Sequence, residues 1–158
     1  MNRGAPRNDR QISFTLPRWV MLAGWILCAG SAGLAQVVFT LSDLEKAMKA
    51  VGRNMALANT AIASADFEGA KVRVARAREQ LSPTVTFWTN EKKADAVKLV
   101  KDATVALDAL DVTLSANPVD PAAVGAAVMK LDAACQACHA IYREKDPATK
   151  TFRLKRAR

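Results

Sequence analysis

The stretch "AACQACHAIYREK", residues 133–145, holds the only histidine of the chain, His139, directly behind two of its three cysteines, Cys135 and Cys138. Apolar residues lead into it at helical spacing, and the inward stripe runs through Val124, Val128, Leu131, Cys135, Cys138 and Tyr142. At 3.6 residues per turn, the two thiols and the imidazole fall within roughly 100° of one another. The stretch therefore predicts an amphipathic helix that presents two thiols and an imidazole on one side.

Three further helices are predicted upstream, each from an apolar stripe and a capping residue. Ser42 opens a capping box with Glu45, Asp66 caps the second helix, and Asn90 caps the third. Asp120, with Pro121 at the first helical position, opens the fourth. The stripe of the first helix is Leu44, Met48, Val51, Met55, Ala58 and Ile62, and that of the third is Val97, Val100, Thr104, Leu107, Leu110 or Asp111, and Leu114.

Residues 81–90 are predicted to be a loop, because the residue before Pro83 is biased away from helical angles. The chain has only seven glycines and six prolines, which favours helix over sheet. Four amphipathic helices joined by mostly short connections predict an all-α fold, an antiparallel four-helix bundle.

The N-terminal part predicts export or anchoring. Residues 1–18 are basic, and residues 19–41 carry no charge over a length that could cross a bilayer as a helix. The preceding arginines place the N-terminus in the cytoplasm and the rest on the periplasmic side, anchored to the inner membrane. The alternative is a signal segment cleaved after residues 33–35, which would leave a soluble periplasmic protein.

The net charge of +8 lies at the two ends of the chain. Residues 42–145, the predicted helical domain, are nearly neutral, whereas residues 146–158 form a basic C-terminal tail. Nucleic-acid binding is not indicated, because no aromatic residues interleave a basic surface. The tail is expected to be solvated, or to dock on anionic lipid or an acidic protein patch.

The spacing C-x-x-C-H is the signature of covalent c-type haem attachment. Two thiols one turn apart can bond to the two vinyl groups of a haem, and the imidazole of His139 is then directed at the iron. A zinc site would need more cysteine or histidine ligands than the chain supplies, and a thioredoxin-like pair expects a βαβ context. A disulfide between residues three apart on a helix closes no useful loop. The motif therefore predicts one covalently attached haem c (heme c).

The C-terminal "CQACHAIYREK" and the four-helix pattern together resemble the cytochrome c-prime family, the class II c-type cytochromes, over residues 42–145. The resemblance implies a haem inside the bundle, attached to the last helix, with the first helix on the other side of the iron. It also implies that Arg143 lies near the proximal imidazole, and that Phe87 and Trp88 are the aromatic pair before the third helix. Tyr142, on the inward stripe, is expected to pack against the porphyrin.

The resemblance places Met48, in "AMKAVGRNM", where low-spin members of the family have a ligating methionine. The prediction is a His139/Met48 iron site, closest to those low-spin members. The alternative is that Met48 and Met55 only fill the core, as most inward methionines do.

Two functions follow for the helical domain. A His/Met haem passes single electrons, so the expected function is electron transport with redox partner proteins of a membrane complex, and not catalysis. An open iron site behind a bulky Met48 would instead bind NO or CO. A homodimer is compatible with either function.

Overall fold

The computed structural model describes residues 38–155, and this part of the chain is all-α apart from one two-stranded sheet. The helices are α1 (Leu41–Ala63), α2 (Phe67–Leu81), α3 (Thr84–Asn90), α4 (Ala94–Leu114) and α5 (Pro121–Tyr142). The strands are β1 (Arg143–Lys145) and β2 (Phe152–Leu154), which pair antiparallel. The predicted all-α class is confirmed.

The first helix begins earlier than predicted, and the predicted cap at Ser42 is wrong. Thr40 is the N-cap: its hydroxyl accepts a hydrogen bond from the amide of Asp43 at 3.3 Å, and its own amide donates to the Asp43 carboxylate at 3.0 Å. Thr40 and Asp43 form a capping box of the kind predicted for Ser42 and Glu45. The N-cap is therefore two residues earlier than predicted, and Ser42 lies inside the helix.

Two of the other predicted caps are confirmed. The Asp66 carboxylate accepts a hydrogen bond from the Gly69 amide at 2.9 Å, and the Asp120 carboxylate accepts one from the Ala122 amide, also at 2.9 Å. The predicted cap at Asn90 is wrong, because α4 starts after Lys93, which makes no side-chain capping bond.

The predicted loop over residues 81–90 is wrong, because most of it forms α3. Pro83 immediately precedes α3 with helical angles, a position where its missing amide costs nothing. The short helix turns Thr84, Phe87 and Trp88 into the core. The buried Thr84 hydroxyl donates to the Leu81 carbonyl at 2.7 Å, so burying it leaves no unpaired donor.

The core lies where α2 and α4 meet their neighbours. Helix α1 packs against α2, α2 against α4, and α4 against α5, while α3 packs mainly on α4. The largest fully buried side chains include Leu107, Leu110, Leu114, Val74 and Val124. The predicted stripe of α4 is thus confirmed at its leucines, whereas Thr104 and Asp111 are only half-buried.

The predicted membrane segment, residues 19–41, lies mostly outside the described residues. Within residues 38–155, no helix is long and apolar enough to cross a membrane. Residues 38–40 have no regular secondary structure, and Leu41 already belongs to α1.

Candidate haem site

Helix α5 carries the three residues of the predicted attachment site in its last turns. Cys135, Cys138 and His139 are all half-buried, and both cysteines are free thiols. Burial, the main cause, raises the pKa of each thiol, so both are uncharged at neutral pH. The helix therefore holds two neutral thiols and an imidazole together on one face.

This face of α5 is apolar but incompletely covered by protein. Lys130 and Asp132 are the only Lys, Arg, Asp or Glu residues of α5, yet only Val124 and Leu131 are buried. A groove between α4 and α5 involves Ala134, which lies five residues, or about 140°, from His139. His139 thus lies on a different side of α5 from that groove.

The imidazole of His139 is not used by the fold. Its Nδ1 is buried without a hydrogen-bond partner, and within residues 38–155 it is the one side-chain nitrogen or oxygen in that condition. Leaving such a group unsatisfied costs about 1–3 kcal/mol. Burial, followed by the positive charge of Arg143, lowers the pKa of His139, so the ring is held in the neutral form that binds metals. An uncommitted neutral imidazole beside two thiols fits the donor set of a c-type haem.

Met48 lies on a different helix from His139, and those two helices are not extensively packed on each other. The predicted stripe of α1 is buried at Leu44 and Ala58 but only half-buried at Met48 and Met55. Helices α1 and α5 are not among the extensively packed pairs. The two helices with the predicted iron ligands thus have incompletely covered apolar faces and little direct contact with each other.

Tyr142 joins the end of α5 to two other helices. Its hydroxyl donates a hydrogen bond to the Asp95 carboxylate of α4 at 2.6 Å, and its ring lies 4.6 Å from that of Trp88 in α3. Trp88 in turn meets Phe87 edge-to-face at 5.0 Å. Burial, followed by the hydrogen bond to Asp95, raises the pKa of Tyr142 to about 12, and the same hydrogen bond lowers the pKa of Asp95. This cluster fixes the last turn of α5, which contains His139.

Arg143 ends α5 and starts β1. Its amide donates to the carbonyl of His139, and its guanidinium lies over the ring of Phe152 at 4.2 Å. Its positive charge adds to the effect of burial in lowering the pKa of His139. The guanidinium of Arg143 stacks on Phe152, and this contact was not predicted from the sequence.

A hairpin that was not predicted from the sequence follows α5. Strands β1 and β2 place Arg143 opposite Leu154 and Lys145 opposite Phe152. The Lys155 amide donates to the Tyr142 carbonyl at 2.9 Å, and its ammonium group donates to the Ala140 carbonyl at 2.7 Å. The predicted boundary between domain and tail, at residues 145 and 146, falls inside this hairpin. The turn residues Asp146 and Pro147 were the only local signal for it.

Comparison with the models of known protein families, with curated proteins and with solved structures gave no match. The assignment of the site therefore depends on its residues and their geometry.

Proposed function

We propose that this protein is a mono-haem c-type cytochrome that passes single electrons outside the cytoplasm. The observation that carries the proposal is the state of the C-x-x-C-H motif: two neutral thiols and an imidazole without a hydrogen bond, on one half-buried face of α5. A protein that used these groups for its own packing would pair the imidazole, since buried polar groups are nearly always hydrogen-bonded.

Each residue of the motif has a distinct role in this proposal. Cys135 and Cys138 form the two thioether bonds to the haem vinyl groups, and His139 is the axial ligand. The last turn of α5 is held in place by Tyr142, through Asp95 and Trp88. A c-type haem supplies a one-electron iron couple whose potential depends on its axial ligands and surroundings. The haem lies, in this proposal, within a four-helix bundle of α1, α2, α4 and α5, as in the cytochrome c-prime family.

Met48 is the proposed second axial ligand. It lies on the incompletely covered face of α1, and that helix has no extensive contact with α5. His139 is the only histidine, so a second imidazole from the same chain is excluded. A thioether ligand raises the reduction potential and leaves no open position on the iron.

The setting of the proposed reaction is the periplasmic side of the inner membrane. Residues 19–41 anchor the domain, or are removed as a signal to leave it soluble. Its redox partners are proteins of a membrane electron-transfer complex, and the domain is a carrier of electrons and not an enzyme. Nucleic acid has no role in this proposal, and a homodimer is compatible with it.

A gas-binding cytochrome c-prime is the second candidate, and one observation favours it. Met48 packs against the hydrophobic core, as a bulky residue that shields an open iron site would. In that case the haem is high-spin and takes up NO or CO on the side of α1.

One measurement separates the two candidates. The mature protein is purified, its mass is checked for one covalent haem, and visible spectra are recorded with and without CO. A methionine-to-iron charge-transfer band with no change on adding CO supports electron transfer. Ready CO binding by the native protein supports the gas-binding candidate, and a mature protein without haem contradicts both.

A further inference from the structure

The hairpin after α5, residues 143–155, carries charge in an unusual arrangement. It contains five basic residues, Arg143, Lys145, Lys150, Arg153 and Lys155, and two acidic ones, Glu144 and Asp146. Arg153 pairs with both acids: its Nε donates to Glu144 and its Nη1 to Asp146, each at 2.8 Å. Within residues 38–155, no ion pair involves the other four basic residues.

The ion-paired and the unpaired charged side chains of the two strands lie on different faces of the sheet. Side chains alternate along a strand, so Glu144 and its opposite residue Arg153 share one face. Arg143 and Lys145 share the other face with their opposite residues, Leu154 and Phe152. One face is thus an internally paired ion cluster, whereas the other has uncompensated positive charge.

An exposed aromatic ring lies within this positive face. Phe152 is 57% exposed, with the Arg143 guanidinium 4.2 Å and the Lys145 ammonium group 6.0 Å from its ring centroid. Leu154, at the other end of β2, packs against the core and holds the strand in place. Aromatic and arginine side chains are the residues that most often dominate binding at protein interfaces. The combination of Phe152 with Arg143 has the composition of such an anchor.

Hydrogen bonds order the turn of the hairpin and join its second strand to the end of α5. The Asp146 carboxylate accepts hydrogen bonds from the amides of Ala148 at 2.8 Å and Thr149 at 3.0 Å, which fixes the turn that presents Lys150. At the other end, Lys155 closes on the carbonyls of Ala140 and Tyr142. The positive face therefore starts four residues after His139 and has a fixed position relative to it.

We propose that the positive face of this hairpin, Arg143, Lys145 and Phe152, together with Lys150 in the adjoining turn, is the docking surface for an acidic protein that exchanges electrons at the proposed haem. The electron exchange in this inference rests on the proposed function. The acidic character of the partner is inferred from the residues of the hairpin alone. Unpaired cations next to the proposed haem attract a negatively charged protein surface and raise its association rate. The exposed Phe152 ring can then pack against the partner and exclude water from the contact.

An acidic protein surface fits better than an anionic membrane. Of the four basic residues without an ion pair, Lys155 is bound to the Ala140 carbonyl, which leaves Arg143, Lys145 and Lys150. Three cations are fewer than the four to eight of the polybasic clusters that hold proteins on lipid. The positive face also adjoins the attachment residues, and a lipid bilayer has no acceptor there for an electron. A protein partner uses both the charge and the proximity.

The test uses plastocyanin, a small blue-copper protein with an acidic patch, as the probe. One electron passes from the reduced haem to the cupric ion, leaving ferric haem and cuprous copper, and no bond is made or broken. Stopped-flow rates are measured at several ionic strengths for the wild type and for the double variant Lys145→Glu with Lys150→Glu. The control is Lys49→Glu with Lys101→Glu, which changes the net charge equally at exposed positions on α1 and α4.

We expect the hairpin variant to lose about tenfold in rate at low salt, with a weaker salt dependence, and the control to lose much less. Phe152→Ser should weaken the complex without changing its salt dependence, because it removes a contact and not a charge. Equal losses in the two double variants, or no loss in either, would overturn the proposal.

Two further measurements distinguish a lipid surface from a protein partner, and docking from haem chemistry. Sedimentation with vesicles of phosphatidylcholine and phosphatidylglycerol tests the membrane: binding that depends on Lys145 and Lys150, with unchanged plastocyanin rates, overturns the proposal in favour of lipid. Calorimetric titration with plastocyanin reports binding without any haem. A protein that lacks haem but still binds through the hairpin contradicts the proposed function and supports the docking surface.

Discussion

The hydroxyl of Tyr142 donates a hydrogen bond of 2.6 Å to the carboxylate of Asp95, which is 47 residues earlier in the chain. The bond joins the first turn of α4 to the last turn of α5, three residues after His139. It connects the proposed haem-bearing turn to the helix that packs most closely against α5.

The ionisation of Tyr142 can be observed directly, because it is the only tyrosine in the chain. Burial and the hydrogen bond to Asp95 raise its pKa to about 12. Following the tyrosinate ultraviolet band on the folded protein should give a value near this, and Asp95→Asn should lower it, because the carboxylate no longer opposes the phenolate. Asp102→Asn, on the same helix and paired with Lys98, should leave it unchanged. A wild-type pKa near 10 would contradict the hydrogen bond between Tyr142 and Asp95.

The same pair should contribute to stability in a defined pH range. The hydrogen bond lowers the pKa of Asp95 below its ordinary value of 3.8. A carboxyl group with a lowered pKa stabilises the fold above that ordinary value, and the contribution is lost as the pH falls through the pKa of the folded state. We therefore expect Tyr142→Phe to lower the thermal midpoint at neutral pH, and the difference from wild type to shrink as the pH falls below 3.8 and through the lowered pKa of Asp95 in the folded state. A difference that persists unchanged in acid would show that the lost packing of the ring, and not the ion–dipole contact, is responsible.

The start of α1 provides a test of the corrected cap. Thr40→Ala should cost about 1 kcal/mol in the free energy of unfolding, because the Asp43 amide at the start of the helix loses the hydroxyl that accepts its hydrogen bond. Ser42→Ala should cost nothing, since Ser42 lies inside the helix and alanine is the better helix former. Urea denaturation followed by circular dichroism measures both. A larger loss of stability for Ser42→Ala than for Thr40→Ala would support Ser42 as the N-cap of α1.

The sequence predicts this fold well wherever the information is local. The leucines of α4 and the caps at Asp66 and Asp120 were predicted correctly, because helix period and capping depend on residues within one or two turns. The prediction of a loop at Pro83 was wrong. A proline disfavours helical angles in the residue that precedes it, but it can itself stand at the start of a helix.

The contacts around the site were predictable only in part. The C-x-x-C-H motif gives its three residues by spacing alone, and the structure places them together. The hydrogen bond between Asp95 and Tyr142 could not be predicted, because it joins distant parts of the chain and neither residue carries a motif. The hairpin has strands of only three residues, too short for an alternating pattern to stand out.

Covalent attachment gives a prediction for the two thiols. Replacing either Cys135 or Cys138 by alanine should leave the haem held by one thioether, and the pyridine haemochrome band should move to longer wavelength, because one vinyl group stays unsaturated. The double replacement should yield protein from which acid and organic solvent extract any haem. Cys28→Ser is the matched control, because Cys28 lies outside the motif, and it should keep the wild-type band. A shifted band in that control would place a thioether bond at Cys28.

The two half-buried methionines of α1 give the sharpest test of the iron site. Met48 and Met55 are similarly placed: both are half-buried and both pack against the core, so replacing either by alanine removes comparable packing. Only Met48 is the proposed ligand, since Met55 is seven residues, or about 10 Å, further along the helix. We expect Met48→Ala to abolish the methionine-to-iron charge-transfer band, to lower the reduction potential and to allow CO to bind. Met55→Ala should lower the thermal midpoint without any of these spectral changes. If both variants keep the band, another side chain is the ligand; if the wild type already binds CO, Met48 only fills the core and the gas-binding function is the correct one.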